Sequence, residues 1–347
     1  MKKILILMIS TVLLLTGCAG EEKKVLKVFN WGAYIDEAVI TEFEDLYDVR
    51  VIYDNYDSNE LMYTKIQSGE YYDILVPTDH MVERLIAEDY LQPLDLTKLN
   101  NLGNLYPDLL NRSFDPNNTY SIPYFWGNIG IIYNKNTVDL TDLENEGWMV
   151  LNNPKYADRI YIYDSARDAF MVAQKALGYS VNSTDTAEIE AAFELLKQIN
   201  ETTRPIYIDE TIIDNMITEQ KDLAVDFSGD AAYIISQNEN LSFFVPEEGT
   251  NIWMDSMIIP KNAKEVDLAH KWIDFMLDNE VALKNTIYVG YTSPNISAFE
   301  TVTGPGGDYE GNIAYQPRMD NPNDEVYTYD DALKEIITDK WTRVKAQ

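Results

Sequence analysis

The sequence predicts an α/β protein of two lobes, and two observations carry that expectation. From Val25 onward, short apolar strand patterns alternate with amphipathic helical ones, an order that builds a sheet with helices on both faces. Removal of an amino-terminal leader leaves about 330 residues, a length at which one hydrophobic core stops growing and chains divide. The chain has a single cysteine, Cys18, so neither a disulfide framework nor a thiolate metal site is available.

The elements follow in order. Val25 to Asn30 is strand-like, Ile35 to Tyr47 sets Val39, Ile40, Phe43 and Tyr47 on one helical face, and Arg50 to Tyr56 returns as a strand. Asp57 with Glu60 three residues on forms a capping-box pattern for the next helix, which Gly69 closes. Asp73 to Val76 is a buried-type strand stopped by Pro77. Ligands of such sheets sit beyond the carboxyl ends of the strands, so the loops after strands matter most. A second run begins after Tyr124-Phe125-Trp126-Gly127. Its strand is Ile160 to Asp164, its first helix is Asp168 to Leu177, ended by Gly178, and Ala187 to Asn200 aligns Ile189, Phe193, Leu196 and Ile199. Ser256 to Ile259 is a further strand before Pro260, a long helix runs around Leu268 to Thr286, and Asp330 to Val344 is helical. No internal repeat or heptad array is present, and Gly304-Pro305-Gly306-Gly307 reads as a loop.

Residues 1–17 have the form of a secretory signal: Lys2 and Lys3, an apolar stretch from Ile4 to Leu15 broken only by Ser10 and Thr11, then Leu15-Thr16-Gly17 before Cys18. That stretch is short for a bilayer span, and Glu21-Glu22-Lys23-Lys24 follows at once. Cys18 is therefore the expected lipidation site and residues 18–24 a tether; the alternative is an ordinary leader with an incidental cysteine. With 58 Asp plus Glu against 27 Lys plus Arg, the net charge of −31 repels nucleic acid and anionic lipid and draws in cations. The expected partner is positive or neutral, although acidity also serves solubility alone.

Little catalytic chemistry is on offer. His80 and His270 are the only histidines and have no third ligand at metal spacing, so neither a zinc site nor a histidine triad is expected, and no phosphate-binding glycine loop is present. No cofactor is expected. His270 lies in an apolar helical pattern and reads as a structural histidine. A pair of carboxylates of the glycosidase kind stays open, since so acidic a chain offers many, but no pair stands out. Aromatic residues are abundant, with 24 Tyr and 6 Trp, and Trp31, Tyr34, Trp126, Phe227, Trp253 and Tyr291 stand beside carboxylates or at strand ends. Aromatic faces attract ammonium groups and pack on methylenes, so such residues fit a polyamine; each taken alone fits a hydrophobic core as well.

Several blocks of the chain, in order, resemble the spermidine/putrescine-binding proteins of bacterial ABC importers. They are Phe29-Asn30-Trp31-Gly32-Ala33-Tyr34, Tyr56-Asp57-Ser58-Asn59-Glu60, Phe114 through Tyr124, Phe170 through Gly178, Trp253-Met254-Asp255-Ser256 and Gly290-Tyr291-Thr292-Ser293-Pro294-Asn295. The resemblance implies that Trp31 and Tyr34 touch the ligand from the first loop and that Thr78 supplies a hydroxyl. It implies that Asp168 holds an ammonium, that Trp253 and Asp255 form a Trp-x-Asp motif with Asp255 as the leading ammonium partner, and that Tyr291 is a pocket tyrosine. Phe227 falls where the family usually has Trp, and Asp230 where putrescine-preferring members carry a further acid. The chain departs from the pattern at Gly32-Ala33, at His80 and at Ser165, where spermidine-preferring members commonly have a carboxylate; this favours the shorter diamine. Plainer roles stay open: Asp168 as a capping-box acid after Ser165, Asp230 at a helix start, Trp31 as a wedge, and Thr78 as a cap.

The resemblance further implies a periplasmic-binding-type fold with two crossover strands, near Gly127 to Ile131 and near Met254 to Met257. Lobe 1 would comprise residues 25–128 with 256–299, and lobe 2 residues 129–255 with 300–347. Trp31, Tyr34, Thr78, Asp255 and Tyr291 would line one side of the cleft, and Asp168, Phe227 and Asp230 the other. The expected function is extracytoplasmic binding of putrescine or spermidine by a lipid-anchored monomer and delivery to the membrane subunits of an ABC importer. A carboxylate-based extracellular hydrolase and a surface lipoprotein without a transport role are the alternatives.

Overall fold

The computed structural model describes residues 23–346, so the leader and the lipidation site expected at Cys18 lie outside the described residues. The first half opens with β1 (Val25–Trp31), α1 (Glu37–Tyr47), β2 (Arg50–Tyr56), α2 (Asn59–Gln67), β3 (Ile74–Leu75) and α3 (Asp79–Ala87). The cap of α2 is Ser58, whose hydroxyl accepts from the Leu61 N–H at 3.2 Å, one residue later than the expected Asp57. Glu60 turns away from the capping box to an ion pair with Lys334.

The second run comprises β4 (Ser121–Asn134), α4 (Leu140–Glu146), β5 (Ile160–Tyr163), α5 (Ala166–Ala176), α6 (Thr186–Thr203) and β6 (Ile206–Ile208). It continues through α7 (Ile212–Ile217), β7 (Leu223–Phe227), α8 (Ser228–Gln237) and β8 (Leu241–Phe244). The chain then returns through β9 (Ile252–Ile258) to α9 (Val266–Met276), α10 (Asn279–Val289), α11 (Ile296–Thr303) and α12 (Asp331–Lys345). The single long helix expected around Leu268 to Thr286 is thus two helices. Asp278 breaks it, because its carboxylate takes the Glu280 and Val281 N–H groups as the cap of α10. The strand expected from Ser256 begins four residues earlier, which places Trp253 and Asp255 inside β9.

The nine strands among the described residues form one curled sheet in the order β2-β1-β3-β9-β4-β7-β5-β6, with β8 also paired to β4. β1 runs parallel to β2 and β3, and β5 parallel to β6 and β7, as βαβ units require. The strand β4 joins the halves: Ser121 to Asn128 pairs with β9, and Ile129 onward pairs with β7 and then β8. Strand alternation divides the apolar side chains between the two faces of each half. In the second half, Ile129, Ile131, Ile160, Ile162, Leu223 and Val225 pack on α5 and α6, while Ile132, Tyr161 and Ala224 pack under α8. The first half has its own core on α1, α9 and α10, and the molecule accordingly has two lobes. No helix among the described residues is long and apolar enough to cross a membrane.

Candidate ligand-binding cleft

The carboxyl end of β1 turns at Gly32 and at Ala33, which takes a left-handed conformation (φ 52°). Trp31 and Tyr34 flank this turn. The Trp31 indole donates to the Val76 carbonyl at 2.9 Å and its ring lies 4.7 Å from that of Tyr56. Tyr34 is buried, its carbonyl accepts from the Tyr124 hydroxyl at 2.6 Å, and its own hydroxyl donates to Asp255 Oδ2 at 2.7 Å. Thr78 precedes α3 without capping it through its side chain. Its hydroxyl instead accepts from Asn59 Nδ2 at 3.1 Å and bonds the Asp255 carboxylate, opposite which it is paired through a backbone bridge. Asp255 is 6 % exposed, and burial pushes its carboxyl up to about 7, against the pull of the Tyr34 and Thr78 bonds.

The other wall stands at the amino ends of α5 and α8. Ser165 caps α5, and Asp168 lies in its first turn, 8 % exposed, with Oδ1 accepting from the Tyr327 hydroxyl at 2.8 Å. Burial raises the Asp168 carboxyl while the Ser165 and Tyr327 bonds hold it down. β7 runs into α8 through Asp226, Phe227, Ser228, Gly229 and Asp230. The Tyr291 hydroxyl donates to Asp230 Oδ1 at 2.9 Å, and burial pushes Asp230 up to about 6. Asp226 is 1 % exposed; Oδ1 accepts from the Phe227 N–H at 2.9 Å, and Oδ2 has no partner among the described residues. Burial, then the charge of Asp230, drives the Asp226 carboxyl well up.

Rings connect the walls. Tyr163 lies 5.4 Å from Phe227, Phe227 6.1 Å from Trp253, Trp253 5.4 Å from Tyr291, and Tyr291 5.7 Å from Tyr34. Gly229 is required here, since a Cβ at that position would stand 1.9 Å from the Tyr291 ring. The ion pairs of Lys and Arg among the described residues go to other acids, such as Arg84 with Glu88 and Asp331, Lys175 with Glu325, and Arg318 with Asp324. Three buried carboxylates and the half-buried Asp230 thus meet hydroxyls, a backbone N–H and ring faces, an environment suited to ammonium groups joined by methylenes. No group of three His, Cys, Asp or Glu among the described residues could hold a metal ion.

The family model for bacterial extracellular solute-binding proteins matches residues 38–307. The chain belongs to that family. This solute-binding protein is 35% identical over 286 residues to the spermidine/putrescine-binding periplasmic protein of Escherichia coli, covering 82% of this chain and 81% of that one. It is 31% identical over 316 residues to a putrescine/cadaverine-binding protein of Pseudomonas aeruginosa, covering 86% of each chain. In structure it is similar to the substrate-binding protein PotD of a Streptococcus pneumoniae spermidine/putrescine ABC transporter. The TM-score is 0.82 with 38% sequence identity, covering 93% of this chain and 99% of that one.

Within this solute-binding protein, the residues picked from the sequence meet as two groups and a bridge. Tyr34, Thr78 and Asp255 share hydrogen bonds, with Trp31 on the neighbouring Val76 carbonyl. Phe227, Trp253 and Tyr291 are consecutive in the run of rings. Tyr291, expected on the wall of Tyr34, reaches across to Asp230. The Ser165 hydroxyl caps α5 by accepting the Asp168 N–H, but the Asp168 carboxylate goes to Tyr327, and the Ser165 N–H donates to the Tyr163 carbonyl, so the capping box expected of Asp168 is not closed. Trp126 lies in the core of the first half. Asp226, Tyr163, Glu210 and Tyr327 escaped the sequence reading. An acid in the middle of an apolar strand, Leu223-Ala224-Val225-Asp226-Phe227, was the signal that could have found the first of them.

Proposed function

We propose that this solute-binding protein captures a polyamine outside the cytoplasmic membrane and delivers it to an ABC importer without chemical turnover. One observation carries the reading: the carboxylates of Asp168, Asp226 and Asp255, buried, and of Asp230, half-buried, stand beside aromatic rings and outside the Lys and Arg ion pairs of the described residues. Burying a lone carboxylate is costly, and a cation taken from solution relieves that cost. Putrescine and spermidine carry ammonium groups for the acids and methylenes for the rings. The relatives named for spermidine, putrescine or cadaverine binding support the same ligand class.

In this reading Trp31, Tyr34, Thr78, Trp253, Asp255 and Tyr291 contact the ligand from one side, and Asp168, Phe227 and Asp230 from the other. The lobes are residues 25–128 with 256–299 and residues 129–255 with 300–347; the handover of β4 from β9 to β7 near Asn128 supports that division. The protein acts as a monomer held to the membrane through a lipid on Cys18. Calorimetric titration with putrescine, cadaverine, spermidine and spermine, with amino acids and sugars as controls, tests the reading. The expected result is one site per chain with micromolar or tighter affinity for an amine, since two charge-assisted ends contribute about 1.5–3 kcal/mol each. Heat from the sugars alone, or sugar release from a glycan panel, would overturn it.

A further inference from the structure

We infer that Asp226 is a specificity-determining residue which, with Asp230, holds an additional ammonium group and so favours a triamine over a diamine, against the shorter diamine expected from Ser165 and Asp230 in the sequence. This rests on the polyamine reading above. The structural acids of this protein have a different appearance. Asp115 accepts from the N–H groups of Thr119, Tyr120 and Ser121 and from the Ser121 hydroxyl. Asp73 accepts from the N–H groups of Lys27, Lys264 and Glu265. Asp226 is as deeply buried as these, yet it has one N–H partner, its own neighbour in the chain, and an oxygen with none among the described residues. A buried acid left in that condition does not hold a fold together.

Its surroundings point to a ligand. Asp226 shares its face of β7 with Ala224, and that face carries Tyr161, Tyr163 and, from α8, Ala231 and Ala232. Its charge bears on Tyr163 and Tyr291, and the charges of Asp230, Asp168 and Glu210 bear on it. The Tyr163 hydroxyl lies 3.5 Å from Glu210 Oε1, and Glu210 is exposed, so the acids run from a buried floor to an open rim. A metal ion is not the occupant this arrangement fits, for no group of three acids among the described residues is set to ligate one. An ammonium within an alkyl chain fits, with the Tyr163 and Phe227 rings, 5.4 Å apart, for the flanking methylenes.

The test is calorimetric titration of the protein and of Asp226→Asn with putrescine and spermidine. The expected result is that the wild type prefers spermidine and that Asp226→Asn weakens spermidine binding by about tenfold, the worth of one charge-assisted bond, while putrescine changes by less than about twofold. Glu210→Gln, at the exposed rim, is the second variant and decides the matter if Asp226→Asn fails to fold; its loss is also to be confined to spermidine. Equal losses for both amines, or none, overturn the inference and leave the polyamine reading standing. Absence of binding by either amine to the wild type overturns both.

Discussion

Asp255→Asn separates what the cleft does for binding from what it costs the fold. The carboxyl of Asp255 rises from its ordinary 3.8 to about 7 because it is buried. At about 1.4 kcal/mol per pH unit, keeping it ionised in the folded protein at pH 8 costs about 4 kcal/mol relative to the unfolded chain. Asparagine has the same shape and no charge, and the Tyr34 and Thr78 hydroxyls can rotate to accept from its amide. The unliganded variant should therefore gain roughly 2–4 kcal/mol at pH 8, seen as a rise of several degrees in thermal midpoint. At pH 4 both side chains are neutral in the folded state, and the gain should shrink accordingly. Binding moves the opposite way: loss of one charge-assisted partner costs about 1.5–3 kcal/mol, roughly tenfold to a hundredfold in polyamine Kd by calorimetry. Unchanged affinity would remove Asp255 from the site, and a lower midpoint at pH 8 would mean that its charge stabilises the fold.

Polyamine affinity should rise with pH between about 5 and 8. The ammonium partner needs ionised acids, while Asp230 keeps its proton up to about 6 and Asp255 up to about 7. The stability of the unliganded protein should fall over the same window, because a carboxyl whose folded value is raised binds more protons folded than unfolded; thermal melts and titrations across pH read both trends, and a flat affinity profile would contradict the assignment. Gly229→Ala should displace Tyr291, whose ring a new methyl would overlap at 1.9 Å. Overpacking of this kind costs about 1–3 kcal/mol, and the variant should lose both thermal stability and affinity in parallel assays.

The parallel βαβ halves were legible because strand and helix periodicities differ and each segment repeats its own pattern cleanly, as at Arg50–Tyr56, found to the residue. The errors came where one side chain decides a boundary. Asp278 stops a helix whose apolar pattern runs on, and Ser58 wins the cap that Asp57 could also have made. β9 hid its first four residues because Asp255 breaks the apolar run, although backbone pairing with β4 continues through it. Trp31, Tyr34 and Asp255 were singled out through resemblance, since nothing in their local pattern distinguishes a pocket residue from a core one. Pairings across long separations, Tyr34 with Asp255 or Tyr291 with Asp230, depend on how the curled sheet brings loop ends together.

The contacts at the rim explain why the acids of the cleft can govern closure. Between α2 and α3 of the first half and the start of α12, Arg84 pairs with Asp331, Lys334 with Glu60, and the Tyr329 N–H donates to Glu83 at 2.6 Å. Exposed pairs of this kind contribute about 0–1 kcal/mol each and weaken with salt. The carboxylates at the centre act against them in the proposed closure, since holding a charge out of water costs free energy unless a cation partners it. Under the proposed function, an ammonium guest would change the sign of the central contribution and leave the rim untouched, so the balance between open and closed lobes would pass to the ligand.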